Sequence, residues 1–158
     1  MNYLISEDEL HIKKIKSGTV IDHITAGNAL SVLRILGLDG SGENVVSVAM
    51  NVPSIKQGKK DIVKVEGREL NADEVDRISL LSSKATINII RNYKVVEKQK
   101  TKLPSVIREI IKCANLSCIS NSSEPVTPIF IVDNEEPLKI RCHYCNRVME
   151  KSDVIRQF

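Results

Sequence analysis

Four cysteines, Cys113, Cys118, Cys142 and Cys145, are the residues of this chain whose type and spacing most clearly could do chemistry. They read Cys-x4-Cys, an insert of 23 residues, then Cys-x2-Cys. Two close pairs separated by a short stretch are the spacing of a tetrahedral thiolate cage, and zinc favours four sulfur ligands where its role is structural. A metal held by four thiolates keeps no open coordination position, so it organises a domain rather than catalysing. The bland alternative, four separate buried or free thiols, is opposed by both the clustering and the pairing. His143 adjoins the last pair. Four sulfurs already fill the tetrahedron, so His143 reads as a solvated loop residue.

Two other groups carry chemical interest. Asp22 and His23 end an apolar run, Gly18-Thr19-Val20-Ile21-Asp22-His23-Ile24. Such a pair serves as an acid/base couple, a polar ligand contact or, most commonly, a hydrogen-bonded strand end. Lys56, Lys59, Lys60 and Lys64 cluster nearby in sequence. A lysine run is usually a solvated face, yet Lys60 and Lys64, with Ile62 between them, point the same way along a strand and could grip a polyphosphate. Gly58-Lys59-Lys60-Asp61 lacks the upstream glycine and the Ser/Thr of a P-loop. Gly40-Ser41-Gly42 lacks the spacing of a nucleophile elbow. An active site would have to be assembled from Asp22, His23 and lysines with no oxyanion device, which argues against an enzyme.

The elements that must position these residues fall into two parts, 1–100 and 101–158. All seven glycines lie at or before Gly67, and all four cysteines lie beyond residue 112. The first part reads as strands at 11–16 and 19–24, a helix over 26–38 with Ala29, Leu30, Leu33 and Leu36 on one face, and strands at 44–52 and 61–65. Asn71 followed by Glu74 resembles a capping box opening a helix with Val75, Ile78 and Leu81 inward. Strands at 86–90 and 94–96, turning at Asn92, complete the set. Strands then helix, twice over, predict an α+β fold: a ferredoxin-like sandwich of an antiparallel sheet with two helices on one face.

The polar run over 97–102 reads as a connector. Pro104 suits a first helical turn, and Val106, Ile107, Ile110 and Ile111 recur at helical spacing, which predicts a helix there. Strands at 129–132, 138–142 and 147–149 follow, with a turn over 133–137. This small β-rich part has little apolar material for a core, so the metal is expected to be a condition of its folding.

Composition bounds the rest. Hydrophobic residues make up 42% of the 158, but Tyr3, Tyr93, Tyr144, Phe130 and Phe158 are the only aromatics, so cores must be built from Ile, Val and Leu. The net charge is +3, with 15 basic and 13 acidic side chains in 1–100 against 8 and 7 in 101–158. A zinc-ribbon nucleic-acid module, the alternative function, would concentrate basic charge in its metal half. This chain does not. The acidic N-terminus lacks the form of a signal peptide, and no apolar run is long enough to span a bilayer. A soluble cytoplasmic protein without membrane or nucleic-acid partners is expected, where reduced thiols favour metal over disulfide.

At this point the motifs resemble a known family. Gly18 to Ile24 as quoted, Asn51-Val52-Pro53-Ser54 with Lys59-Lys60-Asp61-Ile62-Val63-Lys64-Val65-Glu66, and Ala85-Thr86-Ile87-Asn88 with Asn92-Tyr93-Lys94-Val95-Val96 look like the regulatory chains of aspartate carbamoyltransferase. The cysteines, with Cys118-Ile119-Ser120 and Glu124-Pro125-Val126, match the zinc domain of the same family. The resemblance implies a non-catalytic subunit of the enzyme that commits aspartate and carbamoyl phosphate to pyrimidine synthesis. It implies nucleoside triphosphate effectors (ATP, CTP, UTP), one structural Zn2+ per chain, and regulatory dimers bridging catalytic trimers through the zinc domain. By the same resemblance Asp22 holds ribose hydroxyls, with His23 beside it near the phosphates. Lys98 meets phosphate or ribose, and Lys60 and Lys64 serve the phosphate and base end. Ile12, Ile15, Asn88, Ile90, Tyr93 and Val95 line the base pocket. The chain departs from the family pattern at the basic pair Lys13-Lys14 and at Ala114, where proline is common.

Overall fold

The computed structural model describes residues 14–158. In chain order the first sheet and its helices are β1 (Gly18–Thr25), α1 (Ala29–Ile35), β2 (Val46–Ser54), β3 (Gly58–Glu66), α2 (Ala72–Leu81), β4 (Thr86–Arg91) and β5 (Lys94–Lys100). The strands pair antiparallel in the order β2-β3-β1-β4-β5, the ferredoxin-like arrangement with a fifth strand added at one edge. Register explains which side chains meet. Ile21 lies between Val63 and Ile87, and all three are buried with the apolar faces of α1 and α2. Val20, one residue away on the pleat, lies between Lys64 and Asn88 and turns to the face without helices. One strand thus feeds the core and the polar face in alternation.

Local chemistry sets the element ends. The capping box of α2 is present: Glu74 N–H donates to Asn71 Oδ1 at 2.9 Å, and Val75, Ile78 and Leu81 are buried. Gly18 takes φ +140°, and a Cβ there would lie 2.1 Å from the Val65 carbonyl oxygen, so only glycine permits β1 to start against β3. Three expectations for this half need correction. The anticipated strand over 11–16 lies outside the described residues up to residue 13, and residues 14–17 form no strand. The first helix is shorter than 26–38, and Leu30 faces solvent at 59% exposure while Val32 is buried. The polar run over 97–100, read as connector, continues β5.

The second sheet is β6 (Val106–Arg108), β7 (Ile129–Asn134), β8 (Lys139–Cys142) and β9 (Val148–Glu150), antiparallel in that order, followed by α3 (Lys151–Ile155). The helix expected after Pro104 is therefore a strand. Pairing of Ile107 with Phe130 buries both, which a free-standing amphipathic turn could not do in so small a core. Phe130, Ile140 and Met149 are fully buried at its centre. The α3 helix, not expected from the sequence, opens on a capping box between Glu150 and Asp153 and packs against α1 and α2, with Val154 fully buried. Thr101 staples the crossover: its Oγ1 donates to Ser82 O at 2.9 Å and its N–H to Ala85 O at 2.9 Å. One contiguous apolar cluster consequently runs through both sheets. Among the described residues no helix is long and apolar enough to cross a membrane.

Candidate functional site

The helix-free face of the first sheet carries a cleft of about 310 Å³ lined by Lys14, Ile15, Val20, Asp22, Ile62, Lys64, Asn88, Ile90, Tyr93 and Val95. Its size is at the lower end for small-ligand sites, and its apolar floor with a few convergent polar groups is the usual composition of one. The floor follows from the pleat: Val20 and Asp22 on β1, Ile62 and Lys64 on β3, Asn88 and Ile90 on β4 alternate with the core residues. The chain before β1 closes one side, where Tyr93 N–H donates to Lys16 O at 2.9 Å. Asn92 and Tyr93 both take positive φ, 51° and 62°, in the tight β4–β5 turn that brings the Tyr93 ring to the cleft.

At the other end β1 is irregular. The pairing with β3 shifts between Ile21 and Ile24, and His23 takes φ 56°. Such a bulge re-aims consecutive side chains. Here it sets Asp22 and His23 beside Lys60. Lys60 Nζ lies 2.9 Å from Asp22 Oδ1 and 3.3 Å from Oδ2, while His23 N–H donates to Asp22 Oδ1 at 2.6 Å. His23 Nδ1 is 3.4 Å from Thr86 Oγ1. Burial holds the His23 pKa below its ordinary value; Asp22 opposes this and Lys60, Lys56 and Lys98 reinforce it. The imidazole is thus biased to the neutral form first by burial and then by the nearby lysines. Lys64 is 6% exposed, and burial lowers its pKa against the pull of Asp22 and Glu66.

The structure therefore brings Ile15, Asp22, Lys64, Asn88, Ile90, Tyr93 and Val95 to one cleft, with Lys60 and His23 at its Asp22 end. Lys98 pairs in register with Asn88 on β5. Ile12 lies outside the described residues. Val20, Ile62 and Lys14 also line the cleft and were not singled out from sequence. Period-two alternation from Asp22 and Lys64 was the signal that could have found the first two.

The cysteines converge as their spacing predicts. The Sγ atoms of Cys113, Cys118, Cys142 and Cys145 all lie within 4.8 Å of one another. Cys113 and Cys145 are 3.6 Å apart, and Cys118 and Cys142 are 3.7 Å apart. Cys142 ends β8, and Asn146 at φ 61° turns the chain back so that its N–H donates to Cys142 O at 3.0 Å. Asn121 supports the other pair, its Nδ2 donating to Cys113 O and Asn115 O at 2.9 and 2.8 Å. Burial pushes the Cys113 thiol up to about 12 and raises that of Cys142, while the backbone N–H of Arg147 draws Cys145 down to about 6. Four soft donors, mostly buried and within 4.8 Å of one another, fit a metal ion. His143 is exposed and outside the cluster.

Comparison with known proteins matches the two parts of the chain to two domains of one family. Residues 10–102 match the family model described as aspartate carbamoyltransferase regulatory chain, allosteric domain, and residues 105–155 match that of the metal binding domain of the same chain. An aspartate carbamoyltransferase regulatory chain of Methanothermobacter thermautotrophicus is 53% identical over 150 residues, covering 95% of this chain and 96% of the relative. One from Pyrococcus furiosus is 56% identical over 149 residues, covering 93% and 97%, and one from Korarchaeum cryptofilum 49% over 152, covering 96% and 97%. With allosteric and metal-binding parts matched along nearly its whole length, the chain belongs to the family of aspartate carbamoyltransferase regulatory chains, which regulate and do not catalyse.

Proposed function

We propose that the cleft binds nucleoside triphosphates (ATP, CTP and UTP competing for one site) and that the chain passes their effect to the catalytic chains of an aspartate carbamoyltransferase, controlling pyrimidine biosynthesis. The observation that carries this is the convergence of Asp22, Lys60, Lys64 and Asn88 on one sheet face above the apolar floor of Ile15, Ile62 and Ile90. A carboxylate accepts from vicinal ribose hydroxyls, lysines neutralise phosphates, and an amide beside apolar side chains reads a base edge. Asp22, His23 and Lys98 serve ribose and phosphate, and Lys60 and Lys64 serve the phosphate and base end. Ile12, Ile15, Asn88, Ile90, Tyr93 and Val95 line the base pocket. Competing nucleotides can shift the enzyme either way, provided each favours a different quaternary state.

In this reading residues 1–100 form the effector domain and residues 101–158 the docking domain. The latter holds one zinc ion on Cys113, Cys118, Cys142 and Cys145. Tetrahedral bonds of about 2.3 Å place sulfurs about 3.8 Å apart, close to the two separations of 3.6 and 3.7 Å. When bound, the zinc supplies a structural cross-link and no reactive site. The loops it organises face catalytic trimers, bridged by dimers of this chain in the cytoplasm, without nucleic-acid or membrane partners. Calorimetric titration of ATP and CTP into the chain assembled with catalytic trimers tests the effector site. Lys60→Met should weaken binding by about 10-fold or more, the equivalent of a charge-assisted hydrogen bond. Absence of binding to the unaltered protein, or equal affinity in the variant, would refute the assignment.

A further inference from the structure

The effector cleft lies on the helix-free face of the first sheet, and α3 of the metal half packs on the helix side against α1 and α2, so one route between them crosses the sheet. Strand β3 crosses at one point. Lys60 reaches Asp22 on the cleft side, and Asp61, the next residue, turns to the helix side, where it is fully buried. The Asp61 carboxylate accepts three backbone N–H groups: Gly27 at 2.9 Å and Ala29 at 3.0 Å through Oδ2, and Asn51 at 2.9 Å through Oδ1. It thereby holds the start of α1, whose own N-cap residue, Asn28, makes no side-chain cap.

Asn28 is instead turned outward from α1 to other elements. It is 6% exposed, its Nδ2 donates to Leu81 O at the end of α2 at 2.8 Å, and its Oδ1 accepts from Lys151 Nζ. Lys151 is the first residue of α3, on the metal side of the molecule and 123 positions away in sequence. Burial lowers its pKa, as for an ammonium drawn out of water. Next to this tie a cleft of about 620 Å³ runs between Leu80 and Leu81 on one wall and Pro137 and Leu138 on the other. The two parts are therefore not packed together everywhere along their seam, and the polar tie bears on a joint with room to change. Arg34, donating to Phe158 O at 2.7 Å, is a second cross-contact but an exposed one.

We propose that Asn28 and Lys151 are the positioning pair through which the state of the effector cleft, carried by the Lys60–Asp61 segment of β3 and the start of α1, reaches the metal half. The inference rests on the nucleotide reading of the cleft. Phosphate drawing Lys60 away from Asp22 shifts β3, Asp61 carries the start of α1 with it, and Asn28 moves Lys151 and α3. Neither member of the pair touches the effector cleft or the cysteines, so loss of the tie should separate binding from response.

The test uses the chain assembled with its catalytic partners, with nucleotide affinity measured by calorimetry and response as the effector-induced change in catalytic rate. Lys151→Met and Asn28→Ala should each leave the ATP dissociation constant within about twofold and cut the response by about half or more. Their combination should go no further than either alone, because the two act as one contact. Asn28→Asp keeps the acceptor for Lys151 and should retain most of the response, which separates loss of the tie from general damage to α1. An undiminished response in Lys151→Met with unchanged affinity would overturn the inference while leaving the effector site intact. Additive losses in the double variant would overturn it as well. Failure of ATP to bind the unaltered assembly would instead remove the nucleotide reading, and this inference with it.

Discussion

Removing the metal should undo the second sheet and with it the attachment to the catalytic chains. The four thiols are held within 4.8 Å of one another by backbone from separate segments: the stretch after β6, the turn before Ile119, the end of β8 and the turn before β9. A structural zinc contributes about 10–16 kcal/mol to folding in small domains, against a total stability of about 5–15 kcal/mol for a typical domain. The core of Ile107, Phe130, Ile140 and Met149 is too small to replace that contribution. The pH dependence follows from the thiols. The metal takes thiolates, whereas an ordinary cysteine thiol, with a pKa of about 8.5, is mostly protonated at neutral pH once the cage has opened. Binding must displace several protons, so affinity should fall by about 100-fold or more as pH drops from 8 to 7. Metal release by a mercurial, followed with a chromogenic chelator, gives the stoichiometry, and competition with a chelator of known affinity gives the pH slope. Hydrogen exchange then locates the damage: protection in β7 and β8 should vanish with the metal, while β1 and β3 keep theirs. A metal-free chain that protects β7 as before and still assembles with catalytic trimers would refute the reasoning.

Two further outcomes follow from single positions. His23 has a lowered folded-state pKa, so as pH falls below 6.5 the unfolded chain takes up a proton before the folded one; the stability present above 6.5 is lost as pH falls from there through the lower folded-state value. A bound triphosphate offsets the lysines that disfavour the imidazolium, so binding should take up a fraction of a proton near pH 6.5, seen as a dependence of the calorimetric heat on buffer ionisation enthalpy and absent in His23→Gln; no uptake would show that the phosphates lie elsewhere. Gly18→Ala should destabilise the first sheet by about 3 kcal/mol, measured by denaturant unfolding, because its Cβ would meet Val65 O at 2.1 Å; an unchanged midpoint would refute the strain at the start of β1.

Much of the site was legible because its determinants are local. Two residues between Cys142 and Cys145 allow one turn to present both sulfurs, and alternation along β3 puts Lys60 and Lys64 on one face whatever the sheet does around them. The capping box of Asn71 and Glu74 spans three residues and closes on itself. The stretch from Pro104 misled because Val106, Ile107, Ile110 and Ile111 satisfy a helical period equally well; partnership with Phe130 on β7, more than twenty residues away, made it a strand. Leu30 was placed inward by the same logic, but α1 is rotated so that Ala29, Val32 and Ile35 meet the core.

The sequence by itself thus determined the metal cage, the alternation of the sheet and the family to which the chain belongs. These depend on residues a few positions apart, whose geometry the backbone imposes. Only the tertiary structure decided that Asp61 caps α1 from β3, that a bulge sets Asp22 against Lys60, and that Asn28 meets Lys151 across 123 positions. Those contacts join distant segments through buried polar groups. Their energy depends on which partners packing brings within reach, and no local pattern in the chain records that.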